Sequence, residues 1–267
     1  MFTFTGTGTH LVGEDGVAVV DPGPDLPDHV AAIMSALGGA PLSHIVVTHT
    51  HRDHSPASRL LQEMTGAPTY GGGPHPVRTA NRDGTRFEEA GDRDFVPDII
   101  VSHGDVIRGN GWTLECLATP GHISNHICYS LVEERGLFSG DHVMGWSTSV
   151  VSPPEGHMGD YLRSLELLLT RDDDIYWPTH GPPVHDPKEL VRAFIAHRHH
   201  REEQIMDCLR AGVTTIDAMV PVIYADVATE LHPAAARSTY AHLVHMVETG
   251  VAHCEGQPSP GSVYRPS

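Results

Sequence analysis

The chain has 267 residues, of which 39% are hydrophobic and 19% are charged, enough for one large domain with a small second one and a core that needs no disulfides. Its 17 basic and 34 acidic side chains give a net charge of −17, which disfavours charge-driven binding to nucleic acid or to an anionic membrane surface. The sequence carries neither an apolar run that could span a bilayer nor a signal-peptide pattern, and its four cysteines are widely spaced, so we expect a cytoplasmic protein with free thiols.

The first part of the chain alternates predicted strands and helices. Strands are expected at residues 9–13, 16–21 and 44–48, and helices at 27–38 and 55–65. This alternation is typical of an α/β domain. Residues 66–98 are rich in Gly, Pro and charge and have little periodicity, so we expect a long loop there that can cover a site as a lid.

The second part of the chain predicts more strands and then a run of helices. Strands are expected at 99–101, 105–107, 112–118, 127–132, 136–139 and 175–177, and a helix at 159–169. After a Gly- and Pro-rich hinge at 181–187, helices with breaks at Gly212 and near Pro233 fill 188–250, and a short strand follows at 251–254. We therefore expect two domains, a larger α/β domain at 1–187 and a small helical domain at 188–267.

The predicted strand over 44–48 runs directly into a cluster of histidines. Within six residues the chain places His49, His51, Asp53 and His54. Histidines two apart on an extended segment can converge on one cation, and the aspartate and histidine after the next turn can face a second cation beside it. Neutral imidazoles with carboxylates favour zinc, with iron and manganese as alternatives. The cluster therefore predicts a metal site at the end of this strand.

Three further candidate ligands each follow a predicted strand and stand beside a glycine. They are His122 in Thr-Pro-Gly-His, Asp141 in Ser-Gly-Asp and His180 in Thr-His-Gly. A glycine lets the backbone turn sharply, so each loop can aim its side chain into a shared cleft. Each of the three alone is more often a capping or core residue. Together with the first cluster, however, they bring the candidate ligands to seven.

The order HxHxDH, TPGH, SGD and THG resembles the metallo-β-lactamase-fold hydrolases, and the resemblance covers roughly residues 5–185. It implies a four-layer αββα sandwich that holds two divalent metal ions. By the family pattern the first metal is held by His49, His51 and His122, and the second by Asp53, His54 and His180. The same pattern makes Asp141 the bridge between the ions, and Asp21, in Val-Val-Asp-Pro-Gly, the aspartate that supports the ligand loop.

A second resemblance concerns the C-terminal domain. Residues 196–205, AHRHHREEQI, are similar to the HRxxRExQI helix of lactamase-like hydrolases that carry a winged-helix-like C-terminal domain. That branch includes an endoribonuclease of mitochondria. On a helix His197 and Arg201 share one face, so Arg201 is expected either at the rim of the cleft or paired with an acidic neighbour. Packing between the two domains is the alternative role for this helix.

The resemblance implies a metal-dependent hydrolase. A hydroxide bridging the two metals would attack a carbonyl or phosphoryl centre, with Asp53 both ligating a metal and orienting the hydroxide. We expect a small-molecule substrate, namely an ester, thioester or lactone. A phosphodiesterase or endoribonuclease is the alternative. It is disfavoured because residues 191–267 contain six Arg against eight Asp or Glu, whereas a nucleic-acid module normally shows a basic face.

Other interpretations stay open at this point. They are a sulfur oxygenase with a single iron, a non-enzymatic nucleic-acid binder, and a homo-oligomeric state for any of these; membrane association is not expected. Four places are candidates for lining the pocket, although loop residues of this kind are exposed by default. These are His75, His103, Trp146 and the segment Glu155–His157.

Overall fold

The structure is a computed structural model and describes residues 6–76 and 91–267. Within these residues, two five-stranded sheets face each other. The first sheet has the order β1-β2-β3-β4-β5, with β1 antiparallel to β2 and all other neighbours parallel. Its strands are β1 (His10–Val12), β2 (Val17–Val20), β3 (Leu42–Val46), β4 (Thr69–Gly71) and β5 (Ile99–Ile100). Helices α1 (Pro27–Ala36) and α2 (Ala57–Thr65) connect β2 to β3 and β3 to β4.

The second sheet has the order β10-β9-β8-β7-β6. Its neighbours are antiparallel except β9 and β10, which are parallel and are joined by the helix α3 (Met158–Leu169). A parallel pair requires such a crossover connection. Its strands are β6 (Val106–Arg108), β7 (Thr113–Ala118), β8 (Ile127–Leu131), β9 (Gly136–Gly140) and β10 (Ile175–Pro178).

Alternating side chains on the strands separate the layers of the molecule. Along β2, Val17 and Val19 pack against α1 and α2, whereas Ala18 and Val20 pack against the second sheet. On β9, Leu137 packs against α3. Because successive side chains on a strand point to opposite faces, each sheet is buried on both sides. The layers therefore follow the order helix, sheet, sheet, helix.

The C-terminal part of the chain is mainly helical. It comprises α4 (Pro187–Arg210), α5 (Ile216–Ile223), α6 (His232–Glu248) and a two-stranded antiparallel sheet of β11 (Ala252–Cys254) and β12 (Tyr264–Pro266). These elements enclose a core of their own, which includes Leu209, Met219, Leu243 and Tyr264. No helix among the residues that the structure describes is long and apolar enough to cross a bilayer.

Helix α4 contributes side chains to two cores. Val191 and Phe194 on its first half pack with α3, while Ile205 and Leu209 on its second half pack with α5 and α6. The boundary predicted after residue 187 coincides with the first turn of α4. It stays a prediction, because the helix belongs to the cores on both sides.

Two short strands were not expected. Strand β4 lies within the segment predicted as a long loop, where Thr69 and Gly71 are buried and the strand pairs with β3 and β5. Strand β12 ends at Pro266 and pairs with β11. Three residues are too few to show alternation in the sequence. Residues 77–90 of the predicted lid lie outside the described residues.

Glu202 on α4 binds α6 at the contact between the two cores. Its carboxylate lies 2.9 Å from His245 Nδ1 and 3.4 Å from His242 Nδ1, and 3.7 Å from His199 Nδ1. Burial raises the pKa of Glu202, but the hydrogen bonds from His242 and His245 outweigh it and lower the pKa from its usual 4.5 to about 2. Burial lowers the pKa of His242 from 6.5 to about 4.

Acidification is therefore expected to destabilise this contact. On acidification the unfolded chain protonates His242 near pH 6.5 and Glu202 near pH 4.5, whereas the folded protein delays these steps to about pH 4 and about pH 2. The unfolded state thus binds more protons between these values, and the free energy of unfolding falls as the pH falls. Urea unfolding at several pH values between about 7 and 3 should show this loss.

The variant Glu202→Gln separates this contact from the other titrating groups. We expect it to lower the free energy of unfolding by roughly 2 kcal/mol at neutral pH and to flatten the dependence on pH below 4.5. Glu203→Gln is the matched control, because Glu203 is exposed on the same helix. Equal slopes for wild type and Glu202→Gln would contradict the assignment.

Candidate metal centre

The seven predicted ligands meet at one end of the two sheets. Each lies in a loop that follows a strand, where the backbone leaves the sheet and its side chains can turn toward a common space. The segment 49–54 connects β3 to α2, and the other three positions follow β7, β9 and β10. Most of the seven are buried. The members are His49, His51, Asp53, His54, His122, Asp141 and His180.

Three histidines form the first ligand group. His51 Nδ1 lies 2.9 Å from His49 Nε2 and 3.0 Å from His122 Nε2. Burial lowers the pKa of His49 well below its usual value and that of His122 to about 4, so both rings are neutral at physiological pH. Neutral imidazole is the form that binds a metal. The three converging nitrogens thus suit one cation.

Asp53, His54 and His180 form the second ligand group. Asp53 Oδ2 lies 3.2 Å from His180 Nε2 and 3.6 Å from His54 Nε2. Burial raises the pKa of Asp53, but the adjacent His54 and His180 outweigh it and hold that pKa far below its usual value. The carboxylate is therefore ionised, as a metal ligand must be.

Asp141 lies between the two groups and faces both. Its Oδ2 is 3.6 Å from His122 Nε2 in the first group, and its Oδ1 is 3.3 Å from His180 Nε2 and 3.6 Å from His54 Nε2 in the second. One carboxylate with an oxygen toward each group has the placement of a bridging ligand. The structure therefore brings all seven predicted ligands together, in the two groups that the sequence pattern implied.

The polar atoms of this centre fit divalent cations. His54 Nε2 and Asp141 Oδ1 are buried and have no hydrogen-bond partner, which is costly unless another group satisfies them. Burial lowers the pKa of His54, but Asp53, Asp21 and Asp141 outweigh it and raise the pKa to about 10. The surrounding carboxylates thus stabilise a positive charge at this position, and a bound cation would supply that charge.

Asp21 supports the ligands from behind. It accepts hydrogen bonds from Thr48 N and Thr48 Oγ1, each at 2.7 Å, and from Thr179 Oγ1 at 3.1 Å, and it lies 2.9 Å from His54 Nδ1. Thr48 precedes His49 and Thr179 precedes His180, so one buried carboxylate joins the two ligand loops. Asp21 occupies the place that the sequence resemblance implied.

Gly121, which precedes His122, is required because its loop packs closely against α3. Gly121 has a φ of +146°, and a Cβ atom there would lie 2.4 Å from the Cα of Tyr161 on α3. A side chain at this position would therefore push the loop away from α3. The close approach fixes where the loop presents His122, whose Nδ1 lies 2.6 Å from the backbone oxygen of Val150.

Arg201 and His197 do not make the contacts expected at a cleft rim. The Arg201 guanidinium lies 4.0 Å from the ring centroid of Tyr224 and donates to the backbone oxygen of Ile223, so it packs α4 on α5. His197 is exposed on α4. The buried Arg198 lies on the side of α3 instead, over the ring of Tyr161, and donates to the Ser149 backbone oxygen at 2.5 Å. The sequence therefore predicted this helix correctly but singled out Arg201 instead of Arg198.

Sequence reasoning missed His126 and expected the other polar residues around the ligands to be exposed by default. His126 accepts a hydrogen bond from Asp141 N at 3.2 Å and stacks on His49 with ring centroids 5.2 Å apart. His75 and Glu155, expected as exposed loop residues, are instead buried and half-buried, whereas His103 is exposed. His126 carries no motif that would single it out. His157 caps α3, because its side chain accepts from Asp160 N.

Residues 5–180 match the family described as the Metallo-beta-lactamase superfamily. The chain belongs to this superfamily. Residues 215–259 match the Beta-lactamase associated winged helix domain. The metallo-β-lactamase fold and the C-terminal winged-helix domain predicted from the sequence are therefore confirmed. As a member of the superfamily the protein is a hydrolase, and divalent metals are the ions that this superfamily typically binds.

Two relatives illustrate the family membership. The protein is 30% identical over 257 residues to the Beta-lactamase-like protein 2 homolog of Caenorhabditis elegans, a match that covers 94% of this chain and 81% of that protein. It is 28% identical over 225 residues to the atrochrysone carboxyl ACP thioesterase dmxR1 of Cryptosporiopsis sp. (strain 8999). That match covers 78% of this chain and 59% of the thioesterase.

Two solved structures share the superfamily fold. A metallo-beta-lactamase family protein from Thermus thermophilus superposes with a TM-score of 0.75 at 22% identity, over 98% of this chain and 94% of that one. The protein TTHA1623, solved in a di-iron-bound form, superposes with a TM-score of 0.53 at 28% identity, over 68% of this chain and 91% of that one. The first match extends the shared fold over nearly the whole length of both chains.

Proposed function

We propose that this metallo-β-lactamase superfamily hydrolase binds two divalent metal ions and hydrolyses a small ester, thioester or lactone. The placement of Asp141, with one oxygen toward each ligand group, is the observation that carries the proposal of two ions. Zinc suits the imidazole and carboxylate ligands. Iron is the alternative metal, supported by the related TTHA1623 in its di-iron-bound form. The free cysteines support a reducing compartment, and we propose the cytoplasm.

The three aspartates of the centre have different roles in the proposed hydrolysis. Two bound divalent cations would polarise the substrate carbonyl and lower the pKa of a water toward 7. The Asp53 side chain is 33% exposed, compared with 12% for Asp141 and 1% for Asp21. Asp53 is thus the carboxylate of the centre that an incoming water reaches most easily, and it orients that water by accepting its hydrogen bond. Asp141 would serve as a ligand to both ions, and Asp21 holds the ligand loops in place.

Exposed apolar side chains on the loop that follows Asp141 favour a partly apolar substrate. Trp146 and Val150 are 41% and 42% exposed on the loop that follows Asp141. The Val150 backbone oxygen contacts His122, so this loop lies directly beside the ligands. Apolar surface next to a metal centre suits an acyl group. The relative named as an acyl carrier protein thioesterase supports the same class of carbonyl substrate.

The structure gives the nuclease alternative little support. Of the six arginines in residues 191–267, Arg198 is buried and Arg201 packs on Tyr224. These two side chains are therefore not available to a phosphate backbone, and the segment has a net charge of −2 from six Arg and eight acidic residues. Nucleic-acid affinity depends mainly on such contacts. We keep RNA cleavage as an outcome of the substrate test.

Metal analysis combined with a substrate panel tests the proposal. We expect about two metal ions per chain by elemental analysis and turnover of esters, thioesters or lactones. Removal of the metals with a chelator should lower activity by at least about 100-fold, and adding the metal back should restore it. Cleavage of RNA but not of esters would replace the proposal with the nuclease. A single iron with oxygen consumption would replace it with the oxygenase.

A further inference from the structure

Each histidine ligand exposes one ring nitrogen to the metal centre and turns the other away from it. A metal-binding imidazole is normally oriented by a hydrogen bond to this second nitrogen, which fixes its tautomer. Four of the five histidines have such a partner at hydrogen-bond distance. These contacts are His49 Nδ1 to Thr48 Oγ1 (3.1 Å), His54 Nδ1 to Asp21 Oδ2 (2.9 Å), His122 Nδ1 to Val150 O (2.6 Å) and His180 Nδ1 to Gly6 O (3.0 Å).

His51 differs from the other four in which nitrogen it directs inward. Its Nδ1 points at His49 and His122, so Nε2 is the nitrogen that needs an outer partner. Nε2 is buried and has no hydrogen-bond partner. The group facing it is Glu155, whose Oε2 lies 3.5 Å away, at the outer limit of a hydrogen bond. Glu155 is thus placed where the other histidines have their supporting partner.

The position of Glu155 is fixed by a chain of hydrogen bonds. Asn125 Nδ2 donates to Thr50 Oγ1 at 3.0 Å, and Thr50 Oγ1 lies 2.9 Å from His75 Nδ1. His75 Nε2 lies 3.1 Å from Glu155 Oε1. The Glu155 carboxylate only accepts, so the ring nitrogen that faces it must be the donor, and in a neutral ring Nδ1 is then left to accept from the Thr50 hydroxyl. His75 then carries its proton on Nε2 and donates it to Glu155.

This chain leaves the second oxygen of Glu155 free to serve His51. Glu155 accepts at Oε1 from His75 and offers Oε2 to His51. Its side chain is only 19% exposed, so water competes weakly for the contact. Thr50 lies between the ligands His49 and His51 in the sequence, so the same series of hydrogen bonds also connects Glu155 to the ligand loop. The arrangement matches the carboxylate–histidine–metal pattern of oriented metal sites.

We propose that Glu155 is a positioning residue that accepts the Nε2–H of His51, fixes the tautomer in which Nδ1 binds the first metal, and is itself held by His75. This inference rests on the proposed dinuclear centre. It assigns a role to a loop carboxylate that lies outside the seven ligands. It also explains why His75 is buried although it is not a ligand.

Metal affinity is the direct test of this proposal. We would measure it by zinc competition with a chelator and by the absorption spectrum of the cobalt-substituted protein, for wild type, Glu155→Gln and Glu155→Ala. Glu155→Ala should weaken one of the two metals by about 10–100-fold and change the cobalt spectrum. Glu155→Gln should lose less, since its amide oxygen still accepts a hydrogen bond. His75→Gln should weaken the same metal, because Glu155 loses its fixed position.

The controls separate this inference from the proposed function. Glu166→Gln, an exposed carboxylate on α3, should leave the affinity of both metals unchanged. Thermal unfolding of the metal-free variants checks that they fold, and Glu155→Gln carries the test if Glu155→Ala does not fold. Wild-type affinity and an unchanged spectrum in the Glu155 variants would overturn the positioning role alone. A wild-type chain that binds no divalent metal would instead overturn the proposed function.

Discussion

Replacing Asp53 with alanine is expected to lower kcat/KM for an ester substrate by about 1,000-fold or more and to remove one of the two metals. Asp53 Oδ2 is the carboxylate oxygen nearest to His180 Nε2 in the second ligand group, so the cation held there loses its negatively charged ligand. The same change removes the acceptor that orients the attacking water. Steady-state kinetics and elemental analysis of the purified variant measure both effects.

Two further variants make this result specific to the Asp53 carboxylate. Asp53→Asn keeps the volume of the side chain and removes its charge, and we expect it to retain slightly more metal than Asp53→Ala. Asp25→Ala, an exposed aspartate outside the centre, should behave as wild type. Full metal content together with normal turnover in Asp53→Ala would refute both the ligand and the orienting role.

Replacing Asp21 with asparagine is expected to destabilise the fold and to weaken binding of the metal in the second ligand group. Burial raises the pKa of Asp21, but His54 and Thr48 outweigh it and hold that pKa below its usual value. The ionised carboxylate accepts from each of its neighbours, and an amide would present N–H groups to some of these donors. Breaking a buried charged contact costs about 3–5 kcal/mol, which urea unfolding of the metal-free protein measures.

Asparagine is the informative substitution because of the backbone at this position. Asp21 has a φ of +51°, a left-handed conformation that asparagine tolerates and alanine does not. Asp21→Asn therefore removes the charge without adding backbone strain. Asp25→Asn is the matched control. A free energy of unfolding within about 0.5 kcal/mol of wild type would show that Asp21 does not join the ligand loops as we describe.

The meeting of these seven side chains could be predicted because the family pattern names them and because local structure directs each one to the same end of the sheets. His49, His51 and His54 are close in the chain, and a strand followed by a glycine-containing turn is enough to direct His122 and His180 to the same end of a sheet. The sequence named Glu155 only as a candidate for lining the pocket, and its contact with a ligand could not be predicted in this way. Its contacts with His51 and His75 cross between loops that are far apart in sequence, and no local pattern encodes them.

Helix α4, which contains residues 196–205, is a second case in which tertiary contacts could not be predicted from the sequence. The sequence predicted a long helix correctly, but Arg198 and Arg201 are three residues apart and lie close on a helical surface. Which of the two turns toward the α3 side depends on the packing of α4 against α3 and α5. Arg198 contacts the Ser149 backbone and Arg201 contacts Tyr224, and only the tertiary structure distinguishes them.

Helix α4 packs into both cores, so the winged-helix domain and the αββα sandwich depend on each other for stability. If the chain were cut after residue 187, the α3 side of the sandwich would lose Val191 and Phe194 and expose the apolar surface beneath them. The C-terminal helices would keep α4 through Ile205, but Val191 and Phe194 on that helix would lose their partners on α3. Separating the two parts therefore exposes apolar surface on both, and each part alone is expected to be less stable than in the intact protein.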